Sequence, residues 1–335
     1  MAFEARLLNK TRLRKYQHCL KLIEANAKFA PLWERLCLAT YISIGPPLAK
    51  LFGANTTENW MRADKIIADV IAVTGSSPEE IARELRHYVR IRRMRDDHLP
   101  FDEAREGIYD QSFYAVVTHF TYALQPSASA RLNFIKEIVC SVPQTRASVA
   151  DLGCGSGVIL SEILMMKPQW TGHGLDISES SIRYARRLAA HKQVAGRANF
   201  RTGNIASLPY PDESLDLIVA SEIIEHMPEP EKVVKEIARV LRPEGKLVLT
   251  MPLESHTPAH VHTLSSSEDL RSLCEQAGLQ VKRLEPRWHL GFGDDRRHVF
   301  ALAEAREQRR LQPRNYVAPD ALQNFPTAYP EPEVA

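Results

Sequence analysis

Through the first 145 positions, apolar residues recur at helical spacing and nowhere alternate with polar ones at period two. Leu7–Ala27 and Trp33–Leu51 read as helices, the second broken at Gly45-Pro-Pro47 because proline lacks the amide a helix interior needs. Ser77-Pro-Glu-Glu80 has the form of a capping box with proline at the first helical position, and it opens a helix running through Arg95. A further helix is predicted over Tyr109–Leu124, stopped by Pro126. Residues 1–145 therefore read as an all-α accessory or lid region.

From Ala147 the pattern changes. Short apolar runs alternate with amphipathic stretches, as βα units of a largely parallel sheet require. Strands are predicted near Ser148–Leu152, Thr171–Asp176, Asn199–Thr202, Leu215–Ala220, Lys246–Met251, Gln280–Pro286 and His298–Ala303. Helices fall between them at Val158–Met166, Ser180–His191, Glu229–Leu241 and Ser267–Ala277, the last closed by Gly278. The expected fold is α/β: a Rossmann-like seven-stranded sheet over residues 146–305 with helices on both faces, following the all-α segment. Residues 306–335 lose periodicity and are rich in proline, which reads as a disordered or loosely docked tail.

Composition changes this picture little. The chain has 335 residues, of which 44% are hydrophobic and 25% charged, enough to build a real core. A net charge of +2 gives no reason to expect nucleic acid or an anionic membrane as partner. No apolar run approaches the roughly 18–20 residues needed to cross a bilayer, and charges interrupt the first residues where a secretory leader would be apolar. Five scattered cysteines without a C-x-x-C pair suggest neither a disulfide framework nor a zinc ribbon, so a reduced cytoplasmic setting is expected.

The chemistry concentrates at Asp151-Leu-Gly-Cys-Gly-Ser-Gly157, where a strand ends and a helix opens. Glycines there allow positive φ and let the backbone approach a ligand with no Cβ in the way. About 20 residues further on, Asp176 ends the second strand, where an acid can accept both hydroxyls of a ribose. A dinucleotide fold is the rival reading. The spacing G-x-G-x-G differs from its fingerprint, and Asp151 would repel a pyrophosphate while suiting a cationic methionyl ammonium.

Later segments extend the pattern in order: Leu208-Pro-Tyr-Pro-Asp-Glu-Ser-Leu-Asp216, Ser221-Glu-Ile-Ile-Glu-His226, and Ile237-Ala-Arg-Val-Leu-Arg-Pro-Glu-Gly245. With the glycine motif and Asp176, residues 147–304 resemble the class I S-adenosylmethionine-dependent methyltransferases, in the group that includes the ubiquinone and menaquinone biosynthesis enzymes. The resemblance implies S-adenosylmethionine as cofactor, held by Asp151, Gly153, Gly155, Gly157, Asp176, Ile177, Asn204, Ile205 and Ser221. Asn204 stands where the family commonly has an acid, and its side-chain oxygen can still accept from an adenine amino group.

Methyl transfer from a sulfonium needs positioning above all, and a base only where the acceptor must lose a proton. Glu222, Glu225 and His226 follow the fourth strand, and His256, His260 and His262 crowd seven residues after the fifth. Glu222, His226, His256, His260 and His262 are the candidate catalytic residues; capping, solvation or internal hydrogen bonding is the structural alternative for each. No metal is assigned. Even so, Glu222, Glu225 and His226 with His260 or His262 resemble the metal-binding group of the small-RNA 3′-terminal 2′-O-methyltransferases. The reading preferred is methyl transfer to a small molecule, acidic or carrier-bound as one option, in secondary-metabolite or cofactor biosynthesis. The alternatives are a metal-assisted RNA enzyme and a non-catalytic S-adenosylmethionine-binding regulator. Phe113, Tyr114, His119 and Tyr122 could form a lid over the cofactor, and the arginines from Arg83 to Arg95 a docking face. The helical segment could equally serve as a dimer interface.

Overall fold

The computed structural model describes residues 69–76, 114–124, 126–253, 260–289 and 296–305. The helices expected over 7–27, 33–51 and 77–95, the start of the one expected from 109, the tail after 305 and the candidate His256 lie outside the described residues.

A short helical segment at 69–74 precedes helix α1 (Tyr114–Leu124) and helix α2 (Pro126–Ser141). The chain then alternates: β1 (Ser148–Leu152), α3 (Val158–Met166), β2 (Thr171–Asp176), α4 (Glu179–His191), β3 (Ala198–Thr202), β4 (Leu215–Ser221), α5 (Pro230–Val240), β5 (Leu241–Pro252), α6 (Ser267–Gln276), β6 (Leu279–His289) and β7 (Arg296–Ala305). The seven strands form one sheet in the order β3-β2-β1-β4-β5-β7-β6. The five strands from β3 to β5 are parallel, and β7 runs antiparallel between β5 and β6. This is the seven-stranded α/β sheet, Rossmann-like in its alternation, that the succession of apolar runs and amphipathic stretches predicts.

Alternation along each strand sends side chains to two separate cores. Ala150, Leu152, Ile218, Ala220, Leu247, Leu249, Val299 and Ala301 face α5, α6 and the loop carrying Leu208 and Tyr210. Val149, Leu217, Val219, Val248, Phe300 and Leu302 face the other way, onto α2 and α3 and their neighbour Trp170. With both faces covered, every residue of β1 is buried, as in the interior of a parallel sheet.

The helix expected to stop before Pro126 does end at Leu124, but an unexpected second helix, α2, begins at Pro126 itself, where the missing amide costs nothing. Phe134, Ile135, Ile138 and Val139 pack that helix onto the sheet, so it contributes to the sheet's own core. The predicted boundary at Leu241 also shifts. Helix α5 ends at Val240, and β5 begins at Leu241, pairing with Leu215 before a register irregularity that lies between Leu215 and Leu217.

The motif segments around the start of β4 and the end of α5 serve as structural braces. Arg239 donates to the carbonyls of Leu208 and Tyr210 and to Asp212 and Glu236, tying the loop before β4 to α5. Arg242 reaches Asp216 at 2.6 Å, and the same carboxylate accepts from the Ser148 amide at 2.7 Å. Among the described residues, no helix is long and apolar enough to cross a membrane.

Strand order reverses between β1 and β4. A sheet of this kind opens a crevice beyond the carboxyl ends of its strands at that point, and the glycine loop follows β1 there as Glu222 follows β4.

Candidate active site

The loop after β1 is drawn against β2 by two hydrogen bonds, from the amides of Gly153 and Cys154 to the Leu175 carbonyl at 2.8 and 3.1 Å. Gly157, at φ 74°, is the residue before α3; a Cβ there would come within 2.7 Å of the Ala185 Cβ. Gly155 differs. A Cβ built on it meets only Thr118 Oγ1 of α1, at 3.8 Å. Gly157 thus closes packing within the protein, whereas Gly155 leaves an open backbone surface that a ligand can approach.

Asp151 closes the β1 side of this space. It is 1% exposed, and its Oδ2 has no hydrogen-bond partner among the described residues. Burial, and next the nearby Asp176 carboxylate, push its pKa up to about 8. A cation placed beside this acid would favour its ionised form. Asp176 Oδ2 accepts from the Gly155 amide at 2.8 Å and Oδ1 from the Ser178 amide at 2.9 Å, so this acid holds the open glycine in place. Burial raises its pKa as well, against those two amides. Ile177, next in sequence, is 68% exposed, an apolar side chain at the sheet edge suited to the face of a base.

The other predicted contacts are placed less simply. Asn204 points its side-chain oxygen at the Ala206 amide, 2.9 Å away, in a local turn, so the oxygen expected to meet an adenine amino group is already engaged. Ile205 buries its side chain in the core. Ser221 Oγ lies 2.9 Å from Thr250 Oγ1, joining the ends of β4 and β5.

Glu222 follows at φ 56°, a left-handed conformation uncommon for a side-chain-bearing residue. Its amide donates to the Thr250 carbonyl at 2.9 Å. Its carboxylate receives Thr250 Oγ1 at 3.3 Å and stands 3.6 Å from Arg131 Nη1 and 3.3 Å from His298 Nε2. Glu222 is therefore held in a wall built from α2, β5 and β7. Arg131 and His298 escaped sequence reasoning: the first lies on a helix that the pattern did not reveal, the second on the last strand, and only the tertiary fold joins them. Arg131 is buried and its Nε has no partner among the described residues. Tyr122 of α1 sits within electrostatic reach of Arg131, Asp151 and Glu222, which brings this helix over the same space.

The histidines divide. The His226 and His260 rings meet edge to face with centroids 5.0 Å apart, and buried Glu225 lies beside them, its Oε1 3.9 Å from His226 Nε2. Ligand atoms of Glu225, His226 and His260 all lie within 4.8 Å of one another. The amides of Val261 and His262 donate to the Glu225 carbonyl, which brings His260 close. His262 instead turns its Nε2 to the Pro228 carbonyl at 2.8 Å, apart from the other two. His119, considered as a lid residue, bonds Tyr184 of α4.

Comparison with known proteins agrees with this geometry. A family model described as a methyltransferase domain matches residues 144–293. The methyltransferase GfsG of Streptomyces halstedii is 30% identical over 204 residues, covering 55% of this chain and 72% of that protein. The O-methyltransferase resE of Aspergillus sclerotiorum is 29% identical over 212 residues, covering 58% and 76%. The biotin biosynthesis bifunctional protein BioHC of Teredinibacter turnerae is 33% identical over 158 residues, 42% of this chain. The chain spans only 27% of that bifunctional protein's length.

Proposed function

We propose, from the premise that the chain belongs to the class I S-adenosylmethionine-dependent methyltransferases, that it transfers a methyl group from this cofactor to a small-molecule acceptor. One observation carries the reading: buried Asp151, with an unsatisfied oxygen, lies within electrostatic reach of Asp176, the acid that holds the open Gly155 beside the strand-order reversal. The chain's residues suit the cofactor. Asp151 would hold the methionyl ammonium, Arg131 the carboxylate, Asp176 the ribose hydroxyls and Ile177 the base. When bound, the cofactor supplies an electrophilic methyl on a sulfonium.

The protein's own task is then to place the acceptor in line and exclude water. Tyr122 from α1 and the Glu222–Arg131–His298 wall bound the space where an acceptor would lie. An acceptor that loses a proton would deliver it to His226, whose ring faces the same edge and has Glu225 beside it. Relatives named as O-methyltransferases and as a biosynthesis protein support a small hydroxyl acceptor in a biosynthetic reaction. The cytoplasm is the proposed setting, on the cysteine pattern.

A second reading is favoured by the cluster of Glu225, His226 and His260. One carboxylate and two imidazoles suit a divalent ion, which would supply Lewis-acid activation of an acceptor hydroxyl. The same His226 ring cannot be both ligand and base, so the two readings compete for one nitrogen. Tritiated-methyl incorporation into a metabolite extract, run beside total RNA with and without chelator, tests them. Label in small molecules that withstands chelation supports the first reading; chelator-sensitive label in RNA overturns it.

A further inference from the structure

The segment at 69–74 buries Val70 and Val73 and carries a single acid, Asp69, that is 5% exposed. Among the described residues, the partners of Asp69 lie outside its own segment. Its Oδ2 receives Lys192 Nζ at 2.5 Å and its Oδ1 lies 3.1 Å from His191 Nε2, both at the end of α4. His119 Nε2 of α1 stands 4.0 Å from the same Oδ2 that Lys192 reaches. The His119 ring is 2% exposed and its Nδ1 is 2.8 Å from the Tyr184 hydroxyl, again on α4. Three pieces of chain far apart in sequence thus meet around one buried carboxylate.

Helix α1 connects this junction to the cofactor site. Thr118, adjacent to His119, is the residue that faces Gly155, and Tyr122, one turn further, senses Asp151 and Arg131. Ala185, the neighbour of Tyr184, packs against Gly157. A shift of α1 relative to α4 would therefore move the surface above Gly155. A buried carboxylate paired with a largely buried lysine is costly to break, because its removal leaves the Lys192 ammonium desolvated and unpaired. Nothing in the proposed methyl transfer uses these groups.

We propose that Asp69 is a positioning residue for the cofactor site: by joining α1 to the end of α4 it holds Thr118 and Tyr122 over the glycine loop. The upstream segment then acts as a clamp on cofactor binding and takes no part in the chemistry. The proposal rests on reading the glycine loop as the cofactor site, and Asp176→Ala tests that reading separately.

The experiment uses the full chain, with S-adenosylhomocysteine as the calorimetric probe and amide hydrogen exchange followed by segment. Asp69→Asn should weaken binding about tenfold, a typical size for coupling between sites. Protection should fall in residues 114–124 while β4 and β5 keep theirs. Lys192→Met should do the same, and the double variant should be no weaker than either single one, as for two ends of one link. If Asp69→Asn strips protection from the sheet as well, Lys192→Met supplies the same two readouts, with the same outcomes for and against. Affinity within twofold of the unaltered protein, unchanged exchange at 114–124, or fully additive losses in the double variant would each overturn the proposal. Unchanged binding in Asp176→Ala would point instead to a misplaced cofactor site.

Discussion

The Gly155 amide donates to Asp176 Oδ2 at 2.8 Å, so the acid that ends β2 also holds the one glycine of the loop whose face is open. Losing that carboxylate should act twice, through the ligand and through the loop. We expect Asp176→Ala to weaken S-adenosylmethionine binding by about a hundredfold, the scale of two lost charge-assisted hydrogen bonds. Equilibrium dialysis measures it, and an effect under threefold would count against the assignment.

The loop glycines should separate by phenotype. In Gly157→Ala, the new methyl meets Ala185 at 2.7 Å with φ at 74°, so stability should drop by about 2 kcal/mol or more. In Gly155→Ala the methyl finds space; folding should lose only the roughly 1–2 kcal/mol of the left-handed backbone, while cofactor binding should be severely impaired. Thermal denaturation beside a binding titration distinguishes them, and equal stability losses would contradict the two roles.

Asp151 should exchange its proton for a cation. With its pKa pushed up to about 8 by burial and by Asp176, it is largely protonated in the free protein at pH 6.5. Pairing with an ammonium favours the ionised form, so binding should release about one proton. Calorimetry at pH 6.5 in buffers of different ionisation enthalpy reads this directly. Asp151→Asn should abolish the release, and a buffer-independent heat in the unaltered protein would refute it.

Acid should destabilise the fold through two histidines before most carboxylates titrate. Burial lowers His119 to about 4, opposed by Asp69, and burial with Arg201 lowers His173 to about 4. Both His173 nitrogens lack partners among the described residues. A folded pKa below the unfolded value of 6.5 means that the unfolded chain binds more protons between the two. Stability is therefore fully present above pH 6.5 and falls as pH drops toward 4, by on the order of 3 kcal/mol for each ring. Urea denaturation across that range checks this, and His173→Phe should flatten the slope.

The cluster of Glu225, His226 and His260 offers a direct metal test. On the second, metal-assisted reading, titration with Zn²⁺ or Mn²⁺ shows one site that His260→Ala removes and His262→Ala leaves intact, since His262 faces the Pro228 carbonyl. Loss of the site in His262→Ala alone would place the ligands elsewhere.

The sheet was legible because its evidence is local. Each strand is a short apolar run, each connecting helix has an amphipathic period, and the glycines and leading acid of the first turn stand within seven residues. Helix α2 was harder to see. Its start at Pro126 looks like a stop signal, and Ser127, Arg131 and Lys136 blur its apolar stripe. His260 and His262 looked alike in sequence, two residues apart on one loop. They separate only because both backbone amides beyond His260 fold onto the Glu225 carbonyl.

By itself, then, the sequence determined the α/β class, the strand and helix succession from 147 onward and the glycine loop with Asp151 and Asp176, because covalent spacing and periodicity suffice for these. Tertiary structure alone decided the rest. It set Arg131 and His298 against Glu222, gave Asp151 its orphaned oxygen and joined Asp69 to Lys192 across the fold. These are meetings between distant segments, whose partners depend on burial and packing geometry that no local pattern encodes.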